Sequence, residues 1–184
     1  RLQNILFNLN SAETGDAIQK AAREVSPVIT DFFNDITLNR ELYLRIKDVA
    51  LKSDIDDSEK KRLTDQYRRD FIRNGAELDE AAREEFRNLS RELSLLTLKF
   101  SENLLKATNA YILTIVDKHD LSGMPDLVIA GALAEAELRG LKGWVFTLKA
   151  PSYVPFMKYA DKRELRRQMY LAYNSRCFKD DEYD

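Results

Sequence analysis

Residues that build catalytic and metal sites are almost missing from this chain of 184 residues. It contains one histidine, His119, and one cysteine, Cys177. A single cysteine excludes an internal disulfide. A single histidine excludes the zinc helix of metalloproteases, in which imidazoles at positions i and i+4 bind one metal ion. The chain therefore cannot build the commonest zinc protease site from its own residues.

Further absences exclude other classes of protein. No two glycines stand at the spacing of a phosphate-binding loop, and no Glu-x-x-His pair is present for a di-iron bundle. No apolar run approaches the roughly 20 residues that cross a bilayer. The 29 basic and 31 acidic residues give a formal net charge of −2, which provides no overall attraction to nucleic acid or to an anionic membrane. We therefore expect neither as a partner.

The remaining candidate residues give weak signals. His119 lies between Asp117 and Asp120 in the segment VDKHDLSG, but neighbours in sequence cannot enclose one ion without further ligands. We interpret His119 as a solvated loop residue. Cys177 lies in a charged stretch near the end of the sequence, so a Cys-His catalytic pair is the unfavoured alternative. We predict no catalytic and no metal-binding residue in this chain, and the sequence identifies no substrate-binding residue.

The pattern of residues predicts a mostly α-helical, multi-helix fold. Glycines number 6 and prolines 4, and apolar residues recur every three or four positions, as in amphipathic helices. Asn39 and either Asp56 or Asp57 are predicted N-caps, and Gly75 is a predicted left-handed helix end. Pro27 should kink or split the helix that contains it, because proline donates no hydrogen bond.

One long central helix is predicted over about 79–109, a stretch without proline or glycine. At 1.5 Å per residue it would be roughly 45 Å long. Its apolar residues form two adjacent stripes, so we expect it to be packed on more than one side, and Leu96→Ala should destabilise the fold if Leu96 is buried. The first stripe comprises Ala82, Phe86, Leu89, Leu93, Leu96, Phe100, Leu104 and Ala107, and the second comprises Leu95, Leu98 and Leu105.

A minor two-stranded β element is predicted over about 111–117 and 144–149. Both segments are rich in β-branched and aromatic residues, which is typical of strands. We expect the two strands to pair with each other under the helix that separates them, in either direction.

The segment after the second strand is predicted to form two short helices. Pro151 should end the strand, because proline cannot donate to a sheet ladder. Pro155 should lie in the first turn of the next helix. Asp161 should be the N-cap of the last helix, with Glu164 completing a capping box.

Three segments of the chain resemble one known family. Residues 7–32, 69–111 and 144–176 are similar to the thimet-oligopeptidase family of zinc metallopeptidases. Within that family they resemble the bacterial oligopeptidase A group and, closest of all, the peptidyl-dipeptidases (dipeptidyl carboxypeptidases). The most specific match is PSYVPFM, residues 151–157. The segments follow the family's order along nearly the whole chain.

The resemblance implies a helical zinc metallopeptidase that cleaves short peptides in a channel between two halves. The family's His-Glu-x-x-His motif and its downstream glutamate match no position here. The chain starts at Arg1 and its first methionine is Met124. We therefore expect 1–184 to be a single helical piece of the N-terminal region of a larger enzyme. Zinc would belong to the parent protein, none is expected in this chain, and the piece alone is predicted to be inactive.

The role that the resemblance implies is part of the non-catalytic wall of the substrate channel. Its partners would be the catalytic half of the same polypeptide and, in the full-length protein, short peptide substrates. The alternative is a free-standing helical interaction or scaffold module without catalysis. The expected compartment is the cytoplasm, with the periplasm as the alternative. The sequence leaves open whether the parent is an exopeptidase or an endopeptidase.

Overall fold

A computed structural model of the chain describes residues 2–51 and 57–184. Those ranges contain eight α-helices, one short 3-10 helix and two strands, which confirms the mostly helical fold. The chain divides into two compact units, Arg1–Leu98 and Lys99–Asp184. The interpretation of 1–184 as one piece of a larger N-terminal region stays a prediction, because this division does not test it.

Helices alone build the described part of the first unit. The first two pack against each other, and so do the third and fourth. The fifth, which confirms the predicted long helix, begins in this unit and continues into the second. The helices are α1 (Leu2–Ala12), α2 (Asp16–Thr37), α3 (Arg40–Ala50), α4 (Ser58–Arg73) and α5 (Glu80–Ala110).

The predicted helix ends are confirmed where the structure describes them. The Asn39 side chain accepts a hydrogen bond from the Leu42 N–H at 2.9 Å, and the Asp57 carboxylate caps α4 in the same way. Gly75 follows α4 with a φ of 90°, a left-handed conformation that glycine adopts without steric penalty. Asp56, the alternative cap, lies outside the described residues.

Helix α2 continues through Pro27, so the prediction that this proline splits the helix is wrong. Two ion pairs join α2 to α5. Arg87 Nη1 lies 2.7 Å from Asp35 Oδ1, and Arg91 Nε lies 2.5 Å from Asp31 Oδ1. The arginines are four residues apart and the aspartates are four apart, so both pairs lie on facing sides of the two helices.

A small core lies between α3 and α4. Tyr43, Phe71 and Ala76 are buried there, at 3%, 7% and 1% exposure. The Tyr43 and Phe71 rings are nearly parallel, with centroids 6.5 Å apart, and the Tyr43 hydroxyl donates to the Glu77 carboxylate. Burial, followed by this negative neighbour, raises the pKa of Tyr43. The cluster fixes the start of α5, which begins a few residues after Glu77.

The expectation that α5 is packed on more than one side is wrong for most of its length. Only Leu98 of the two predicted stripes is fully buried, at 8% exposure, whereas Leu89, Leu93, Leu96 and Phe100 are 57%, 65%, 53% and 57% exposed. At about 100° per residue, Leu98 lies on the same side of the helix as Arg87 and Arg91, and the exposed residues lie on the opposite side. Leu96→Ala should therefore change stability by less than about 0.5 kcal/mol.

The second unit covers a two-stranded sheet with helices. Its strands pair antiparallel, with Ile112 opposite Thr147 and Ile115 opposite Trp144, which confirms the predicted pairing and settles its direction. The elements after α5 are β1 (Ile112–Ile115), the 3-10 helix (Lys118–Leu121), α6 (Asp126–Leu138), β2 (Trp144–Thr147), α7 (Ala150–Tyr159) and α8 (Arg163–Asn174).

The core of this unit is built around two phenylalanines. Phe146 from β2 and Phe156 from α7 are each 0% exposed, and their rings meet edge to face with centroids 4.7 Å apart, a favourable geometry for aromatic pairs. Met169 and Ala172 on α8 are buried in the same core, and Leu165 packs against it. The face of α8 that carries these three residues therefore packs on the core.

The two prolines after β2 lie in one helix. The strand ends at Thr147, and α7 begins at Ala150, so Pro151 is in the first turn and Pro155 is inside the helix. The prediction that Pro155 lies in the first turn is wrong. The Thr147 N–H donates to Ser152 Oγ at 2.9 Å. A side chain at the start of α7 thus accepts a hydrogen bond from the last backbone N–H of β2.

Asp161 is not the N-cap of α8, contrary to the capping-box prediction. Helix α8 starts one residue later than that role requires, after Lys162. The Asp161 carboxylate instead accepts a hydrogen bond from Ser122 Oγ at 2.7 Å, and the Asp161 N–H donates to the Ser122 carbonyl at 3.0 Å. These bonds tie the turn between α7 and α8 to the loop that precedes α6.

Phe156→Ala should lower the free energy of unfolding by about 3–5 kcal/mol, because it removes a fully buried ring and leaves a cavity. The measurement is urea denaturation followed by circular dichroism. Leu138→Ala is the matched control in the same unit, since Leu138 is 84% exposed, and it should change stability by less than about 0.5 kcal/mol. Equal losses in the two variants would contradict the assigned core.

Gly143→Ala should destabilise the protein by more than about 1 kcal/mol. Gly143 has a φ of 91°, and a Cβ there would overlap the backbone oxygen of Ile115. Gly131→Ala is the contrasting change: Gly131 is inside α6 with nothing within 4 Å of its Cβ position, so alanine should stabilise by roughly 0.5–1 kcal/mol. Shifts of the same sign in urea denaturation would refute this account.

Candidate functional site

The structure places His119 on an exposed turn rather than in a site. Its side chain is 95% exposed, with Nδ1 3.1 Å from Asp117 Oδ1. Asp117 is the N-cap of the 3-10 helix and accepts the His119 N–H at 2.9 Å. Asp120 pairs instead with Lys162, at 2.7 Å. Each of these acids thus has a local structural partner, and the three residues do not converge on one centre.

The described ranges, 2–51 and 57–184, hold no group of three His, Cys, Asp or Glu residues that could bind a metal ion. The metal that the family resemblance implies therefore does not fit this part of the chain. The same ranges hold no helix that is long and apolar enough to cross a membrane.

Cys177 is poorly suited to act as a nucleophile. Burial, followed by the negative charges of Asp184 and Asp181, raises the pKa of its thiol. The thiolate is the reactive form of cysteine, so this environment disfavours reaction at neutral pH. Cys177 also has a φ of 55°, which places it in the turn after α8.

The second unit carries an apolar groove of about 350 Å³ between α6, the end of β2 and the start of α7. We call it the α6–α7 groove. Its volume is at the lower end of the range for ligand pockets, roughly 300–1,000 Å³. Its walls are mainly small and apolar side chains, namely Val128, Gly131, Ala132, Val145, Pro151 and Pro155.

Two of the polar side chains that line the α6–α7 groove already have structural partners. Ser152 Oγ accepts the Thr147 N–H, and Glu135 Oε1 lies 2.7 Å from Arg139 Nη2. The groove can therefore hold an apolar side chain or ligand, and the carboxylate in its lining, Glu135, is already paired with Arg139.

The first unit has a second groove, of about 470 Å³, with a different lining. Hydroxyl and amide side chains, among them Ser26, Ser90 and Asn34, alternate with Phe7 and Phe86. Asn34 is 6% exposed, and its Nδ2 has no hydrogen-bond partner within the described part of the chain. The amide donor of Asn34 is therefore a group of this groove that the described residues leave available for hydrogen bonding.

Sequence reasoning identified neither groove. A groove depends on how several elements pack, and its lining residues are ordinary core types. One local signal was present for the α6–α7 groove. Gly131 interrupts an otherwise helix-favouring run, and Pro151 and Pro155 are four residues apart, so both prolines lie on the same face of α7.

Comparison with known proteins gives relatives along nearly the whole chain. Oligopeptidase A of Escherichia coli (strain K12) is 30% identical over 182 residues, or 96% of this chain. Oligopeptidase A of Haemophilus influenzae is 33% identical over 173 residues, or 92% of this chain. Dipeptidyl carboxypeptidase of E. coli (strain K12) is 29% identical over 187 residues, or 100% of this chain. No protein-family model matches the sequence.

The chain spans only about a quarter of the length of these relatives. The matched regions are 26%, 25% and 28% of the three proteins, in the order given. The similarities confirm the resemblance found in the sequence, and the three identities do not separate the oligopeptidase A group from the dipeptidyl carboxypeptidases.

The pKa of Asp117 should lie below its ordinary value of 3.8, because its carboxylate accepts hydrogen bonds first from the backbone and then from the side chain of His119. A lowered pKa in the folded state means that the stabilising contribution of Asp117 is present above its unfolded pKa. That contribution is lost as the pH falls through the folded value. Carboxyl ¹³C NMR titration measures the pKa directly.

His119→Ala provides the control for this titration. It removes the side-chain hydrogen bond and keeps the backbone one, so the pKa of Asp117 should rise only part of the way to its ordinary value. An Asp117 pKa above 3.8 in the unmodified chain would show that the turn does not form as described.

Proposed function

The chain belongs to the thimet-oligopeptidase family, and we propose that it is a non-catalytic part of a peptidase of the oligopeptidase A and dipeptidyl carboxypeptidase type. The observation that carries the proposal is a match over 96% of this chain to only 26% of oligopeptidase A from E. coli. A part with those proportions can share the fold of an enzyme without holding its active site. In the described geometry, His119 lies on an exposed turn beside Asp117, and Asp120 pairs with Lys162.

The metal of the proposed parent enzyme is zinc, and it would be bound by polypeptide other than this chain. When bound, zinc supplies an activated water molecule and polarises the peptide carbonyl. His119, the one histidine in the sequence, is exposed and paired with an acid that caps a turn. It therefore has no part in the proposed chemistry.

The proposed role of this chain is to form part of the wall of a channel that admits short peptides. A wall must be rigid, because its position limits which substrates enter. Helix α5, 31 residues long, extends for roughly 45 Å, and the second unit has a well-packed aromatic core. The partners in this proposal are the catalytic part of the same polypeptide and short peptide substrates.

We also propose the cytoplasm as the compartment, with the periplasm as the alternative. The single cysteine is compatible with a reducing environment. The relatives carry the names oligopeptidase A and dipeptidyl carboxypeptidase, so the proposal covers short-peptide hydrolysis in general.

A hybrid enzyme tests the proposal. In the hybrid, this chain replaces the 182 matched residues of oligopeptidase A from E. coli. We expect the hybrid to cleave a fluorogenic short peptide and to lose that activity when a chelator removes its zinc. The isolated chain should show no cleavage with added zinc, and mass spectrometry under native conditions should show no bound metal.

His119→Ala in the hybrid is the internal control, and it should leave the rate of peptide cleavage unchanged. Peptide cleavage by the isolated chain, abolished by the same substitution, would overturn the proposal. A folded hybrid that binds zinc and cleaves no peptide would also count against it, since the chain would then fail to act as the equivalent part.

A further inference from the structure

Helix α5 carries an exposed row of leucines in the first unit. Leu89, Leu93 and Leu96 are 57%, 65% and 53% exposed, and we call these three residues the α5 seam. At about 100° per residue they fall within an arc of roughly 60°. An apolar row of this kind on a water-facing helix marks an interaction surface.

The spacing of the seam indicates what kind of partner covers it. Steps of four and then three residues average 3.5, which is the repeat of helices that pack side by side with interlocking side chains. A partner with a flat or irregular surface would not require its contacts to lie in one narrow row of leucines. The opposite face of α5 is already engaged, through Arg87 and Arg91 with α2, so a partner helix can reach the seam from the free side.

The charges beside the seam restrict the partner further. Glu85 and Glu92 lie along one edge of the leucine row, seven residues apart, and both are exposed. Neither has an ion-pair partner among residues 2–51 and 57–184. The other edge carries the neutral Ser90 and Thr97. A complementary helix would therefore present apolar residues to the seam and lysine or arginine beside Glu85 and Glu92.

The area of the seam argues against a second copy of this chain as the partner. Three half-exposed leucines offer roughly 300 Å² of apolar surface. Stable complexes between separate molecules bury about 800 Å² on each partner. A segment of the same polypeptide needs much less, because covalent linkage gives it an effective concentration in the millimolar range.

We propose that the α5 seam is the docking surface for an amphipathic helix, with a basic edge, from the part of the parent peptidase that this chain does not include. The inference rests on the proposed function, and it gives the two parts of the enzyme a specific contact. The three-quarters of the relatives' length outside the matched region is where that helix would be encoded.

Site-specific thiol labelling tests the inference. In a Cys177→Ser background, Leu93→Cys is placed in the isolated chain and in the hybrid with oligopeptidase A from E. coli, and maleimide labelling at position 93 is followed by peptide mass spectrometry. We expect labelling at least about tenfold slower in the hybrid, because docking occludes the thiol. Leu138→Cys is the matched control: Leu138 is 84% exposed and off the seam, so its labelling rate should be the same in both proteins.

The outcomes separate this inference from the proposed function. Equal labelling rates at position 93 in an active hybrid would overturn the inference and leave the function standing. Protection at position 93 in a folded but inactive hybrid would support the inference and refute the function. A dimer of the isolated chain in sedimentation, with position 93 protected in that dimer, would show that a second copy covers the seam and would overturn the inference.

A second measurement needs no hybrid. Leucine methyl NMR of the isolated chain, with overlapping synthetic peptides that cover the remaining sequence of oligopeptidase A from E. coli, detects binding even at millimolar affinity. We expect one or more basic amphipathic peptides to shift the Leu89, Leu93 and Leu96 signals. Leu93→Lys should abolish the shifts, and Leu138→Lys should not. No shift with any peptide would contradict the inference.

Discussion

Burial of apolar surface holds the second unit together, and its centre is the contact between Phe146 and Phe156. One ring comes from β2 and the other from α7, so this pair fastens the sheet to the helix that follows it. Met169, also 0% exposed, brings α8 to the same place. Because each fully buried side chain of this size contributes about 1.5–3 kcal/mol, the unit can be stable without a disulfide or a structural metal ion.

Along α5, apolar surface is buried on one side of the helix and exposed to solvent on the other. The side with Leu98 is buried, and ion pairs through Arg87 and Arg91 join it to α2. Such pairs at a partly exposed surface contribute about 0–1 kcal/mol each, so they orient the helix more than they stabilise it. The side with Leu93 exposes apolar surface that water solvates poorly, which leaves α5 with free energy still to be gained from a further contact.

Features that depend on neighbouring residues could be predicted from the sequence. The Asn39 and Asp57 caps need only a side chain and an N–H two or three residues away, and the two strands are short runs of residues with strong β preference. Gly75 was predictable for the same reason, since the left-handed turn at a helix end is local. These local features determine where α3 and α4 begin and where α4 ends.

Features that depend on distant residues could not be predicted. Asp161 has the sequence of an N-cap, but its carboxylate binds Ser122, 39 positions earlier, and a cap signal contains no information on that competitor. The two grooves could not be predicted for a related reason. Val145 and Pro155, for example, line the same groove only when β2 and α7 pack. His119 was correctly predicted to be exposed, because that prediction depended only on its neighbours in the sequence.

The prediction that α5 is packed on more than one side was wrong for a physical reason that involves both neighbouring and distant residues. The apolar spacing of Leu89, Leu93 and Leu96 shows that this face is built for contact, but spacing cannot tell whether the partner lies within the sequence or outside it. Amphipathic periodicity shows which residues would be stabilised by burial. The exposed fraction of those residues shows whether this chain buries them. Where the two disagree, as at Leu89, Leu93 and Leu96, the difference marks the surface for which we propose a helical partner. In this chain the disagreement is largest on the side with Leu93, because on the other side Leu98 is buried and α2 is already joined through Arg87 and Arg91.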